Sequence, residues 1–269
     1  MSAMAAVSPE HAEFIRRVRW RRRSILGVQV ALLVLFFGAW EGAVFYRLVD
    51  PLIASSPSRI LTTLAKLHRD GSLYQHTLAT LLEALAGFGL GVLAGIGMAI
   101  VLWWSDYLSR VLDPYIVVLN AVPKIALGPL FIVWLGAGIT AIIGMTLAIS
   151  VIIMLMMVWT AFREVNPEKI LLLRSFGATR LQVFTKVVFP ASMPTIIAAL
   201  KTAIGLSWVG VIVGEFLTST QGLGYLIVYG GQVFNLHLVM MSILVLSAAA
   251  AVMYQALAYL ERRYLAWKG

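Results

Sequence analysis

The sequence predicts an all-α integral membrane protein with about six transmembrane helices, and three observations support that prediction. Of the 269 residues, 61% are hydrophobic and only 12% are charged. The mean hydropathy is +0.90. Too little polar surface is available to cover a water-soluble globule of this size. The apolar stretches are also continuous, whereas the strands of a membrane barrel alternate in polarity, so helices are favoured over strands.

Six apolar stretches are long enough to cross a bilayer, because a helical crossing takes roughly 20 residues. They lie at roughly 24–46, 79–103, 112–135, 138–162, 188–217 and 236–260. The predicted organisation is therefore a basic N-terminal segment over 1–23, a membrane domain over 24–262 and a tail over 263–269. The apolar stretch after residue 23 is longer than the apolar region of a secretory signal, so we interpret it as an uncleaved anchor.

The distribution of Lys and Arg predicts which side of the membrane each loop faces. Basic residues are concentrated before the first span, near Arg110, from Arg163 to Lys186 and after the last span, whereas the loops near Gly136 and Gln221 have none. Since basic loops stay on the cytoplasmic side, both termini are predicted to be cytoplasmic. The same bias explains most of the +9 net charge, so we do not expect a nucleic-acid partner. The basic residues between Arg47 and His76 weaken the asymmetry.

The connection after the first span and the second span itself carry helix signals but no cofactor signal. Ser56 and Pro57 predict the start of an amphipathic helix that ends before Gly71. In the second span, glycines at four-residue spacing predict close packing against another helix: Gly87, Gly91 and Gly95. The run Gly89-x-Gly91-x-x-Ala94 superficially matches a dinucleotide fingerprint, but it follows no strand. The sequence has no phosphate-binding loop and no cysteine, and its four histidines lack metal-ligand spacing. We therefore predict no cofactor and no metal site in this chain.

Prolines and charges within the spans leave two interpretations open. Pro123 and Pro129 bend the third span, either as a packing kink or as a bend that lines a pathway. Ionised side chains in a membrane usually face a bundle interior or water. Lys124 and Glu215 are the charged candidates for lining a pathway, whereas Glu41 and Glu83 are interpreted as packing partners. Lys201 is expected to extend to the cytoplasmic surface. Trp103, Trp104 and Trp134 are interpreted as interface anchors, and Trp134 is also a pathway-lining candidate.

The polar connection between the fourth and fifth spans predicts two short helices joined by a sharp turn. Asn166 is a favourable N-cap residue, Pro167 suits the first helical position and Glu168 suits the positive end of the helix dipole. The first helix should run to about Phe176 and end at Gly177 in the left-handed conformation. Thr179 and Gln182 have the spacing of a capping box that opens the second helix.

This connection resembles the cytoplasmic coupling loop of permeases in ATP-binding-cassette (ABC) importers. The pattern is Glu-Ala-Ala, three residues, Gly, nine residues, an aliphatic residue, any residue and Leu-Pro. Gly177, Val187, Phe189 and Pro190 fall on that spacing, while Leu171, Leu172 and Leu173 stand in place of Glu-Ala-Ala. The carboxylate that the family offers its ATPase is therefore missing at Leu171.

Two further segments resemble the nitrate, sulfonate and taurine group of these permeases. The first is Pro-x-x-Ala-x-x-Pro-Leu-x-x-x-Trp-x-Gly, from Pro123 to Gly136. The second is VGEFLTSTQGLGYLIVYGGQVFN, residues 213–235, with an acidic residue followed by a Gly-Leu-Gly turn. The three segments occur in the family's order.

The resemblance implies a type I importer permease fold and a non-catalytic transport subunit in the inner membrane of a prokaryote. It implies a homodimer, two ATPase subunits that carry the ATP and Mg²⁺, and an extracytoplasmic binding protein that delivers a small organic or inorganic anion such as a sulfonate, taurine or nitrate. The coupling loop is placed at about 164–186. The implied ATPase contacts are Glu168, Leu171, Leu172, Leu173, Arg174, Ser175, Phe176, Gly177, Ala178 and Thr179, and the implied pathway-lining candidates are Pro123, Lys124, Pro129, Trp134 and Glu215. The alternatives are an ion-coupled secondary transporter, an intramembrane enzyme and a scaffold subunit.

Overall fold

The computed structural model describes residues 9–50 and 54–265, and within these ranges all regular secondary structure is helical. The parts of the predicted terminal segments at 1–8 and 266–269 lie outside the described residues. The chain divides into two compact units, 1–62 and 63–269. The helices are α1 (Pro9–Phe45), α2 (Pro57–Arg69), α3 (Ser72–Trp104), α4 (Asp106–Ala121), α5 (Gly128–Leu135), α6 (Ile139–Arg163), α7 (Pro167–Ser175), α8 (Arg180–Val183), α9 (Phe189–Thr218), α10 (Leu223–Gln232) and α11 (Leu236–Leu265), with a 3₁₀ segment at Lys124–Leu127 and a π-helical segment at Phe184–Val188.

The prediction of about six spans is confirmed. Five helical stretches are long and apolar enough to cross a membrane: Arg16–Phe45, Ser72–Trp104, Ile139–Arg163, Arg180–Thr218 and Leu236–Arg263. The sixth is the pair Asp106–Ala121 and Lys124–Leu135, whose axes differ in direction by 85°. The fifth span begins earlier than predicted, because its helix continues through the π-helical segment into α8 without a break.

In the first unit, Glu41 of α1 caps the start of α2. Its two carboxylate oxygens accept hydrogen bonds from the Ser58 backbone N–H at 3.0 Å and from the Ser58 hydroxyl at 2.7 Å. Nearby, Trp40 Nε1 donates to the Ala54 carbonyl at 3.3 Å. The first N–H groups of a helix have no partner within the helix, so a carboxylate at this position satisfies one of them.

In the second unit, α6 packs against both α3 and α9 through glycines. On the α3 side, a Cβ added to Gly87, Gly91 or Gly95 would lie within 3 Å of Thr146, Ser150 or Met154, respectively. On the α9 side, a Cβ at Gly210 or Gly214 would lie within about 3 Å of the Thr146 or Ile142 Cα atom. The predicted small-residue face is therefore confirmed, and it brings the three helix backbones close together.

Helix α9 connects the two ends of this bundle, and Lys201 lies within it. Its 30 residues extend about 45 Å at 1.5 Å per residue, from the end that carries α7 and α8, here called the α7 end, to the end that carries α10, here called the α10 end. Lys201 forms an ion pair with Glu261 of α11, with 2.5 Å between Nζ and Oε2. The pair joins two helices, a role that the sequence does not reveal.

Candidate functional site

The α7–α8 element (Pro167–Val183) folds as the sequence predicts. The Asn166 side chain accepts the Glu168 N–H at 2.8 Å, which caps α7. Gly177 has φ +78°, and its N–H donates to the Arg174 carbonyl at 2.9 Å. Thr179 and Gln182 form both hydrogen bonds of the capping box. The cap residues predicted from the sequence thus account for the start of α7, the turn at Gly177 and the start of α8.

The two faces of α7 differ in exposure. Ile170 and Leu173 pack against the buried apolar cluster at the α7 end. Leu171, Leu172 and Phe176 are exposed by 68%, 55% and 81%. Three large apolar side chains on one short, polar-flanked element are unusual for a free surface. Of the other predicted contact residues, Glu168, Arg174, Ser175 and Thr179 are also exposed, and Ala178 is half-buried.

The second half of the element is anchored in the core. Val183 and Val188 are fully buried, and Phe184 lies between them in the π-helical segment. The Phe184 ring contacts the rings of Trp103, Phe162 and Phe189, with centroids 4.9, 5.4 and 5.9 Å apart. Through this segment α8 runs directly into α9, so the second half of the element and the fifth span form one continuous helical stretch, Arg180–Thr218.

A cavity of about 440 Å³ lies beside α7 and is rich in arginine. Its wall includes Arg110, Arg163, Arg174 and Arg180 together with Asp106 and Asp113. Arg163 lies over the Trp159 ring at 4.9 Å, and Arg180 lies over the Trp103 ring at 5.4 Å and donates to the Trp103 carbonyl. The stacking holds two guanidinium groups at the edge of the element.

The bent span contains four of the five predicted pathway-lining residues. Pro123 precedes the 3₁₀ segment, and Pro129 is in the first turn of α5. Lys124 Nζ donates to the Asn120 carbonyl at 2.8 Å, which satisfies a carbonyl that the end of α4 leaves free. Trp134 is 66% exposed on α5. The structure therefore brings Pro123, Lys124 and Pro129 together at the bend.

Glu215, the fifth residue, lies at the opposite end of α9 and caps α10. It is 1% exposed. Its Oε2 accepts the N–H groups of Gly224 at 2.5 Å and Tyr225 at 3.3 Å. Two side chains of α3 complete the cap: His76 Nδ1 accepts the Gly222 N–H at 3.0 Å, and Thr80 Oγ1 accepts the Leu223 N–H at 2.7 Å.

The glycines of the Gly-Leu-Gly turn allow this close approach. A Cβ at Gly222 or Gly224 would lie 2.4 or 2.7 Å from the nearest carboxyl atom of Glu215. Gly222 also has φ +110°. Sequence reasoning identified Glu215 and the turn but did not connect them, and it missed His76 and Thr80. Their spacing of four residues puts them on one face of α3, and this spacing is the sequence feature that could have identified them as a pair.

A second cavity of about 440 Å³ adjoins the cap. Residues from α5, α9 and α10 line it, including Ile132, Phe216, Tyr225, Tyr229 and Gln232. The rings of His76, Tyr225 and Tyr229 form a stacked row, with successive centroids 6.0 and 5.9 Å apart. The α10 end therefore combines a capped short helix with a partly polar cavity.

Comparison with known families decides between the alternatives. Residues 91–266 match the family described as the binding-protein-dependent transport system inner membrane component. The chain belongs to this family. It is an ABC importer permease and a multi-pass inner membrane protein, and membership implies ATPase and solute-binding-protein partners.

Relatives of known name cover nearly the whole permease. The taurine transport system permease protein TauC of Escherichia coli K12 is 27% identical over 94% of this chain and 95% of its own length. The riboflavin transport system permease protein RibX of Chloroflexus aurantiacus is 29% identical over 97% of this chain and 96% of its own. Both are named as transport permeases.

A solved structure supports the fold. The crystal structure of an amino acid ABC transporter with histidines matches with a TM-score of 0.58 at 18% identity, covering 75% of this permease and 96% of that chain. The prediction of a type I importer permease fold is confirmed.

Proposed function

We propose that this permease imports a small organic or inorganic anion, such as a sulfonate, taurine or nitrate, as a homodimer with two docked ATPase subunits that bind ATP and Mg²⁺. An extracytoplasmic binding protein delivers the solute, and both termini are cytoplasmic. ATPase closure moves the α7–α8 element, and the two permease copies alternate between inward and outward openings. The pathway-lining candidates are the bend at Pro123, Lys124 and Pro129, with Trp134 and Glu215.

The single observation that carries this proposal is the two-faced α7–α8 element. Its inner face is packed into the core and its free face presents Leu171, Leu172 and Phe176. Because the element continues into α9, a force applied to the free face reaches the α10 end about 45 Å away. A separate loop could not transmit such a force, since flexible connections absorb displacement.

The chemistry of the free face indicates how the ATPase contact is made. Leucine stands at 171 where the family has glutamate, so the contact is apolar at that position. The charges that flank it are mostly positive, with Lys169 and Arg174 on α7 and Arg180 on α8. The ATPase surface that receives the element is therefore expected to offer an apolar groove with carboxylates at its rim.

A matched pair of truncations tests the docking role. Leu172 and Leu82 are each 55% exposed, the first on α7 and the second on α3. Leu172→Ala should weaken co-purification of the ATPase, by about 5- to 150-fold in Kd if it removes about 1–3 kcal/mol of contact energy. Leu82→Ala removes the same atoms away from the element and should leave co-purification unchanged. Equal ATPase retention by both variants would contradict the proposed contact.

The solute class has its own test, because selection rests largely on the binding protein. The cognate binding protein would be titrated with taurine, an alkanesulfonate, nitrate and riboflavin, followed by ATPase measurements on the assembled complex with each loaded form. Stimulation by an anion but not by riboflavin is expected. Stimulation by riboflavin alone would refute the anion assignment and leave the coupling role intact.

A further inference from the structure

Two buried carboxyl groups meet at the α10 end. Glu83 of α3 and Glu215 of α9 are 6% and 1% exposed, and they are the buried acidic residues of the described chain. The two carboxyl groups are neighbours, because Thr80, one turn before Glu83 on α3, accepts the Leu223 N–H, and Glu215 accepts the adjacent Gly224 N–H. The docking role of the α7–α8 element does not account for this contact, which lies at the other end of α9.

One carboxylate oxygen of each glutamate has no hydrogen-bond partner among the described residues. Glu215 Oε2 receives two backbone N–H groups, but Glu215 Oε1 and Glu83 Oε2 are buried, and no hydrogen-bond donor from the described residues is assigned to either. Thr80 also adjoins Glu215, yet its hydroxyl donates to the His76 carbonyl at 3.2 Å. Ionised carboxylates only accept hydrogen bonds, so two of them in contact repel each other and leave both oxygens unsatisfied.

Among the residues that the structure describes, no Lys or Arg side chain lies beside the two carboxyl groups to offset two negative charges. On α3, His76 Nδ1 accepts a hydrogen bond from the Gly222 N–H, so that nitrogen carries no proton. Helix α10 brings Tyr225, which stacks on His76, and α11 brings His237 near its start. Helix α6 has no titratable side chain before Arg163, and Lys201 of α9 is paired with Glu261.

We propose that Glu83 and Glu215 share one proton, that Glu83 carries it and donates it to Glu215 Oε1, and that this hydrogen bond joins α3 to α9 and positions the Glu215 carboxylate that caps α10. Glu215 is the ionised partner because it accepts two backbone N–H groups at the positive end of α10. Glu83 receives no backbone donor in the described structure. The shared proton therefore completes a cap built from His76, Thr80 and Glu215, and its loss weakens the attachment of α10.

Infrared spectroscopy of the full-length permease in lipid nanodiscs tests this inference directly. At neutral pH the wild-type protein should show the carbonyl stretching band of a protonated carboxyl, with the downshift in deuterium oxide that such a group gives. Glu83→Gln should lose the band. Glu41→Gln is the matched control, because Glu41 is also a carboxyl within a span but accepts two hydrogen bonds from Ser58, and this variant should retain the band.

A second variant and a second readout cover the possibility that Glu83→Gln does not assemble. Glu215→Gln should retain the band at a shifted frequency, because the acceptor of the Glu83 proton becomes an amide. The thermal unfolding midpoint of the wild type should fall between neutral and alkaline pH, and that of Glu83→Gln should not, since its amide cannot release a proton in this range. Absence of the wild-type band at neutral pH, or a band that neither glutamine variant alters, would overturn the shared proton. Neither measurement involves ATPase or solute, so failure here leaves the proposed coupling function untouched.

Discussion

Substitution of Gly177 by leucine tests the coupling turn, and it has two effects: a strained backbone and a bulky side chain at the contact. Gly177 has φ +78°, and no atom lies within 4 Å of an added Cβ. An added Cβ therefore meets no clash, and the direct penalty at the backbone is that of the left-handed conformation, about 1–2 kcal/mol. If the turn must keep this conformation to dock, that penalty lowers the docking-competent fraction by about 5- to 30-fold. The leucine also projects from the free face into the contact.

The matched control for this substitution is Gly71, between α2 and α3. It has the same φ of +78° and the same empty surroundings, so Gly71→Leu imposes an equal backbone penalty away from the α7–α8 element. Gly177→Asn is a second control, because asparagine tolerates the left-handed region better than other side chains. Gly177→Ala should be milder than leucine, since it adds the strain without the bulk.

The assay is co-purification of the ATPase subunits from solubilised membranes, followed by solute-stimulated ATP hydrolysis. Gly177→Leu should lose ATPase subunits and abolish stimulation while insertion and dimerisation are unchanged, because no span is altered. Gly71→Leu and Gly177→Asn should retain both activities. Full ATPase retention with wild-type transport in Gly177→Leu would show that this turn is not the coupling element.

Two further predictions concern the bundle and its orientation. Gly91→Leu should lower the thermal unfolding midpoint of the permease, because a Cβ there lies 2.3 Å from Ser150 Oγ and overpacking typically costs about 1–3 kcal/mol. Gly89→Leu should leave the midpoint unchanged, because no atom lies within 4 Å of an added Cβ at that position. An equal fall in both variants would contradict the packing account. Single cysteines at Thr179 and Gln221, in a chain that has none, should react with an impermeant thiol reagent in intact cells only at Gln221; labelling at Thr179 alone would invert the predicted topology.

Local chemistry explains which parts of this fold the sequence predicts. Span number follows from continuous apolar stretches, and the start and turn of α7 follow from Asn166, Pro167 and Gly177, whose preferences are set by their own backbone geometry. The capping box at Thr179 is equally local. These features are confirmed, and they were predictable because residues close in sequence determine them.

Contacts between distant helices were not predictable in the same way. Glu215 was recognised as a carboxylate in an apolar setting, but its partners on α10 and α3 are fixed by the packing of three helices, and Thr80 is 135 residues away in the chain. Lys201 was expected at the surface, yet it pairs with Glu261 of α11. In each case the charge was identifiable from the sequence and its partner was not, because a hydrophobic pattern specifies which residues are buried without specifying which helices meet.

Reconstituted uptake tests the central claim most directly. The permease would be placed in proteoliposomes with and without its ATPase subunits, with the loaded binding protein outside and ATP inside. Solute should accumulate only when the ATPase subunits, the binding protein and hydrolysable ATP are all present, and an imposed proton or sodium gradient should not replace ATP. Accumulation by the permease alone, driven by an ion gradient, would contradict the account and identify a secondary transporter.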